Sequence, residues 1–79
     1  MNCPQTELDT TRVVNVWLNG QPRQLAASTC VAALLAELGL DASHVAVEVN
    51  RELIPRAKHT LHELTDGDRL EIVTLVGGG

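Results

Sequence analysis

The residues best suited to chemistry in this 79-residue chain are Gly77, Gly78 and Gly79, which follow Val76 directly off an apolar run. Three residues without Cβ add nothing to a core and lose more backbone entropy on ordering than any others. What they offer is access. A glycine run fits a narrow channel in another protein, and its α-carboxylate, with a pKa of about 3.3 to 3.7, is ionised and unhindered at neutral pH. Fully extended, three residues reach roughly 10 Å. Other constellations are weaker. His59 and His62 stand three apart, a spacing two metal ligands can use, but only Glu63 lies nearby and no cysteine or carboxylate cluster completes a site. Both histidines are therefore expected in solvent, with no metal. Cys30 falls in the first turn of an expected helix, where the dipole can lower a thiol pKa, although a packed, unreactive cysteine is the simpler expectation. With only Cys3 besides it, there is neither a disulfide framework nor metal-cluster spacing, so both read as reduced thiols.

Composition narrows the class of protein that presents this end. Seventy-nine residues form one domain with a thin core. The core must be aliphatic, because Trp17 is the only aromatic and Val, Leu and Ala supply most of the 44% hydrophobic content. Ten acidic against six basic residues give a net charge of -4, the wrong sign for a phosphate backbone, and aromatic stacking on bases is unavailable. Nucleic acid is thus an unexpected partner. No 18-residue apolar stretch spans a membrane and the start MNCPQTELDTTR lacks a signal-peptide core, so a cytoplasmic protein is expected.

The elements that must position the glycines read in order. Met1 to Thr11 has no period and reads as a flexible leader (1–11), the folded domain covers 12–76, and 77–79 is a flexible tail. Val13 to Leu18 alternates, Asn19-Gly20 supplies the pair of positive φ values a two-residue hairpin needs, and Arg23 to Ala26 returns, with Pro22 at its start. Ser28 and Thr29 are N-cap candidates for a helix whose stripe is Val31, Leu34, Leu35 and Leu38, ended by Gly39. His44 to Val49 resumes period two with Val45, Val47 and Val49 inward, Asn50-Arg51 turns, and Glu52 to Ile54 forms a short strand closed by Pro55. Leu61 to Leu64 is one helical turn at most, Asp66-Gly67-Asp68 is a tight turn, and Arg69 to Val76 is the last strand. The expected core is Val14, Val16, Leu34, Leu35, Leu38, Val45, Val47, Leu70 and Ile72. A single helix over a mixed sheet of four or five strands is an α+β roll, in which the first and last strands can pair in the middle and launch the tail from there. Trp17, Val73 and Leu75 fall on the opposite sheet face, where an apolar patch reads as a partner-docking surface. Arg51, Arg56 and Lys58 form a small basic patch, and Glu63, Asp66, Asp68 and Glu71 an acidic one, both read as ordinary solvated charge.

Val49-Asn50-Arg51-Glu52-Leu53-Ile54-Pro55-Arg56, then Leu64-Thr65-Asp66-Gly67-Asp68-Arg69-Leu70-Glu71-Ile72-Val73 and the terminal Val76-Gly77-Gly78-Gly79, resemble the ThiS family of sulfur carriers from about Val13 onward. The DGD turn recurs across β-grasp proteins and the terminal Gly-Gly across ubiquitin-like carriers; the VNRELIPR segment favours ThiS. The leader departs from the family, whose members usually start at the first strand. The resemblance implies a ubiquitin-like β-grasp fold with one main helix packed on one face of the sheet. It also implies a protein co-substrate, not an enzyme, with no catalytic residue and no bound cofactor of its own. In that chemistry a ubiquitin-activating-type, ThiF-like enzyme uses ATP to adenylate Gly79, a cysteine-derived sulfur donor supplies sulfur for a thiocarboxylate, and a ThiG-like thiazole synthase takes it. Sulfur transfer to molybdopterin or another acceptor, or attachment to a lysine as a ubiquitin-like modifier, begins with the same adenylate and remains open. A monomer is expected for the chain alone.

Overall fold

In a computed structural model of the protein, which describes residues 12–75, the chain reverses first at Asn19 and Gly20, with φ of 51° and 84°. Two successive positive values match the twist of the flanking strands. They join β1 (Val13–Leu18) to β2 (Gln21–Ala26) in antiparallel register, Val13 opposite Ala26 and Leu18 opposite Gln21. Pro22 lies one residue inside β2, opposite Trp17; β2 is an edge strand, where a missing N–H is tolerated.

The helix α1 (Val31–Leu38) buries Val31, Leu34 and Leu35 against the sheet and ends at Gly39, whose φ of 72° suits glycine. Its cap differs from expectation. Cys30, not Ser28 or Thr29, is the N-cap, its Sγ accepting the Ala33 N–H at 3.4 Å. The Thr29 hydroxyl is committed instead to the Ala26 carbonyl, 2.6 Å away, in the turn leaving β2, so the helix begins one residue later. Cys30 is 2% exposed and disulfide-bonded, which corrects the expected reduced thiol: too few cysteines for a scaffold says nothing against one pair.

After a 3₁₀ turn at Ala42–His44, β3 (Val45–Val49) and the two-residue β4 (Glu52–Leu53) form the second hairpin. Asp41 caps the 3₁₀ turn; the Ser43 backbone N–H, then the Ser43 hydroxyl, hold its carboxyl below the usual carboxylate range. Asn50 and Arg51 make the hairpin with φ of 53° and 70°. A further 3₁₀ turn lies at Arg56–Lys58, not at Leu61–Leu64; Glu63 instead bridges to Cys30, and Leu64 is buried. His59 is also buried at 4%, against the expectation of solvent: its Nε2–H donates to the Ile54 carbonyl at 3.0 Å, pinning the link after β4. The last strand, β5 (Arg69–Thr74), completes a five-stranded sheet in the order β2-β1-β5-β3-β4.

One face of that sheet and α1 enclose Val16, Leu25, Val31, Leu34, Leu35, Val45, Val47, Val49, Ile54, Leu64 and Leu70, with Val14, Leu18, Leu38, Ala42 and Ile72 packed at the margin. The expected leader and the expected glycine tail lie outside the described residues.

Candidate functional site

Gly77, Gly78 and Gly79, the expected reacting end, fall outside the described residues, as does Val76. The described part is the strand that leads to them. β5 lies between β1, which it meets in parallel at Trp17–Arg69 and Leu18–Leu70, and β3, which it meets antiparallel from Val49–Leu70 to Val45–Thr74. The last strand is therefore held on both sides at its start. Past Leu70 the β1 hairpin turns away, and a side chain replaces the missing backbone. The Ile72 N–H donates to Asn19 Oδ1 at 2.9 Å, and Asn19 Nδ2 donates to the Ile72 carbonyl at 3.3 Å. Asn19→Ala removes both bonds and strains the turn, and is expected to cost about 1 to 3 kcal/mol in urea unfolding. Asn19→Gly keeps the turn and should lose only the part due to the two bonds; equal stability of Asn19→Gly and the parent would refute the side chain's role.

The two segments that resemble the ThiS family lock together at the base of this strand. Asn50 exchanges hydrogen bonds with the Arg69 backbone, its N–H donating to the Arg69 carbonyl at 2.7 Å and its Oδ1 accepting the Arg69 N–H at 3.0 Å. Asn50 Nδ2 donates to Asp68 Oδ1 at 3.0 Å, and Asp68 Oδ2 accepts the Thr65 N–H at 2.8 Å. Asp66 Oδ1 accepts the Asn15 N–H, and the Gly67 N–H donates to the Asn15 carbonyl, both at 2.7 Å. Asp68, only 8% exposed, is a structural carboxylate and not part of a solvated acidic patch. The DGD turn is thus a clasp between β1 and the second hairpin, and its chemistry is positional.

The open sheet face carries the three residues expected there. Trp17 is 42% exposed, Val73 56% and Leu75 53%. They are not one contiguous patch. Trp17 lies beside Arg69, whose guanidinium carbon sits 5.8 Å from the ring centroid, a cation–π contact. Val73 is four residues further along β5, roughly 13 Å away at strand rise. Between them Glu71 stands directly opposite Glu48, both exposed, a like-charge pair that weakens the sheet locally. Trp17, Arg69, Glu48, Glu71 and Arg51 line a shallow cleft of about 480 Å³. Lys58 lines a different cleft of about 410 Å³ with Leu53, Pro55, Leu61 and His62, so Arg51 and Lys58 do not share one basic site. Leu53 and Leu61, 60% and 72% exposed, were not singled out from the sequence. The signal for Leu53 was available: pairing with Glu48 puts it on the open face.

Among the described residues no group of three His, Cys, Asp or Glu side chains could hold a metal ion, and no helix is long and apolar enough to cross a membrane. The described chain offers a scaffold, a face and a launched strand.

A mixed five-stranded sheet in this order with one helix across one face is a ubiquitin-like β-grasp domain. The model of the ThiS family matches residues 16–79, and the chain belongs to that family. It is 41% identical over 64 residues to the sulfur carrier protein ThiS of Thermus thermophilus, covering 81% of this chain and 98% of that one. A thiazole synthase of Paramagnetospirillum magneticum is 48% identical over 62 residues, 78% of this chain, but the chain spans only about a fifth (19%) of that protein's length. The crystal structure of the thiamine biosynthesis protein ThiS from Geobacter metallireducens superposes with a TM-score of 0.70 at 32% identity, covering 84% of this chain and all of that one.

Proposed function

We propose that this chain is a sulfur carrier of thiamine biosynthesis whose reacting group is the α-carboxylate of Gly79. The observation that carries the reading is the family match, which runs through the domain to Gly79 itself. A thiazole synthase that contains a segment similar to this chain supports such a synthase as the sulfur acceptor.

The chemistry follows from what a carboxylate lacks. Its charge repels nucleophiles and oxide is a poor leaving group, so an adenylating enzyme of the ThiF type first joins a Gly79 oxygen to the α-phosphate of ATP, releasing pyrophosphate. A persulfide on a sulfur donor attacks the acyl carbon and AMP departs with the oxygen. A thiol then reduces the acyl disulfide, leaving a thiocarboxylate on Gly79. Glycine leaves every approach to that sulfur open, and the synthase takes it as a nucleophile. The carrier supplies the reacting carbon, a thin arm and a docking face; acid, base and nucleotide-binding groups belong to its partners.

Intact mass after incubation with ATP, a ThiF-type enzyme and a persulfide donor tests this: the expected product is heavier by the difference between sulfur and oxygen. An unchanged mass with a competent enzyme, or a product joined to lysine, overturns it. Trp17, Val73 and Leu75 are the proposed contacts for that enzyme. Trp17→Ala or Leu75→Ala should leave the fold intact and weaken capture about tenfold, read as a higher half-saturating carrier concentration in pyrophosphate release.

A further inference from the structure

We propose that the edge of β5 beyond Asn19, at Thr74, takes an extended backbone segment of the acceptor synthase by strand addition. The proposal rests on the carrier reading and adds to it the way the arm is gripped. Backbone groups along β5 alternate between its neighbours. On the β3 side the Arg69 carbonyl accepts from Asn50 and the Leu75 N–H donates to the His44 carbonyl at 2.8 Å. On the β1 side the Leu70 carbonyl accepts from the Asn19 N–H at 2.9 Å, and both groups of Ile72 go to the Asn19 side chain. Thr74, two residues on, turns its N–H and carbonyl to that same side, but the hairpin has already reversed at Asn19 and Gly20 and the β1 ladder stops at Leu70. The Thr74 side chain is exposed.

The occupant follows from what comes next in the chain. Gly79 is four residues past Leu75, at most roughly 14 Å of extended chain, so a protein that encloses Gly79 brings its channel mouth alongside this edge. Glycines give that protein no side chains to read. Main-chain hydrogen bonding is the recognition left, and an unpaired strand edge continuous with the arm is its natural start. The sheet's outer edges suit this less well: β2 carries Pro22 and lies at the far side of the sheet, and β4 is two residues long.

The test uses the full ¹⁵N-labelled chain and a purified thiazole synthase. In the complex, exchange of the Thr74 amide should slow about tenfold or more. Thr74→Pro removes an N–H that the fold does not use, at an edge position where proline is tolerated, and should bind the synthase about tenfold more weakly. Thr74→Ala should bind like the parent, because the side chain is not read. If Thr74→Pro fails to fold, the amide exchange decides. Unchanged Thr74 exchange in a complex that does form, or equal affinity of folded Thr74→Pro, overturns strand addition while the carrier reading stands. Concentration-dependent protection of Thr74 in the chain alone assigns the edge to a second copy and overturns the proposal. A parent chain that neither loads sulfur nor binds the synthase removes the carrier reading and this proposal with it.

Discussion

Deleting Gly78 and Gly79 is expected to leave a folded domain that is neither adenylated nor loaded with sulfur. Glycine carries no side chain to pack, and among the described residues every buried member of the core lies between Val16 and Leu70, so the far-ultraviolet spectrum and the unfolding midpoint should hardly move. What disappears is the only acyl group assigned to the reaction. His62→Ala, at a half-buried position, should still load, and Cys30→Ser should load to the extent that it folds, since it gives up a disulfide but no reacting atom, and a serine hydroxyl can take over the cap. Thiocarboxylate yield by intact mass across these variants separates a carrier from a catalyst. Loading of the truncated chain, or loss of loading in a folded Cys30→Ser, would falsify Gly79 as the reactive group.

Leu34→Ala is expected to be among the most damaging side-chain truncations in the described domain. Leu34 is 0% exposed at the middle of the α1 face, and truncating such a leucine costs about 2 to 5 kcal/mol in lost transfer and cavity formation. Small domains have roughly 5 to 15 kcal/mol of stability in all, so much of the margin goes. Leu61→Ala, at 72% exposure, should stay within about 0.5 kcal/mol of the parent. Urea midpoints of the two variants give the comparison; similar values would show that α1 does not carry the core.

The elements legible in the sequence were those set by neighbours along the chain. Asn19-Gly20 and Asp66-Gly67-Asp68 announce turns through residue types that accept positive φ or cap their own backbone, and the stripe from Val31 to Leu38 announces a helix through its period. Elements set by distant contacts were not legible. Thr29 has the chemistry of an N-cap, but a carbonyl at the end of β2 claims its hydroxyl, and Cys30 takes the cap. His59 looks like a surface residue until β4 brings the Ile54 carbonyl to its ring. Asp68 reads as one charge among several acids, and only the approach of Asn50 from the second hairpin makes it a buried anchor. The open face was legible as a set of outward residues; that Glu48 and Glu71 meet across strands and divide it depends on the β3–β5 register. Asn19 was legible as a turn residue and not as a stand-in strand, because its partner Ile72 is 53 positions away.

The central place of β5 has a consequence for how the protein is made. Without β5 the remaining strands are two hairpins, β1 with β2 and β3 with β4, that share no backbone hydrogen bonds with each other in the sheet. The first strand must wait for the last, a pairing of high sequence separation that slows folding relative to local contacts. During synthesis from the N-terminus, a ribosome that stalls before β5 emerges releases a chain with no sheet centre and exposed apolar strands, fit for degradation. The domain becomes whole only when its central strand, the last of the described elements, arrives, so an unfinished copy has no folded face with which to occupy a partner.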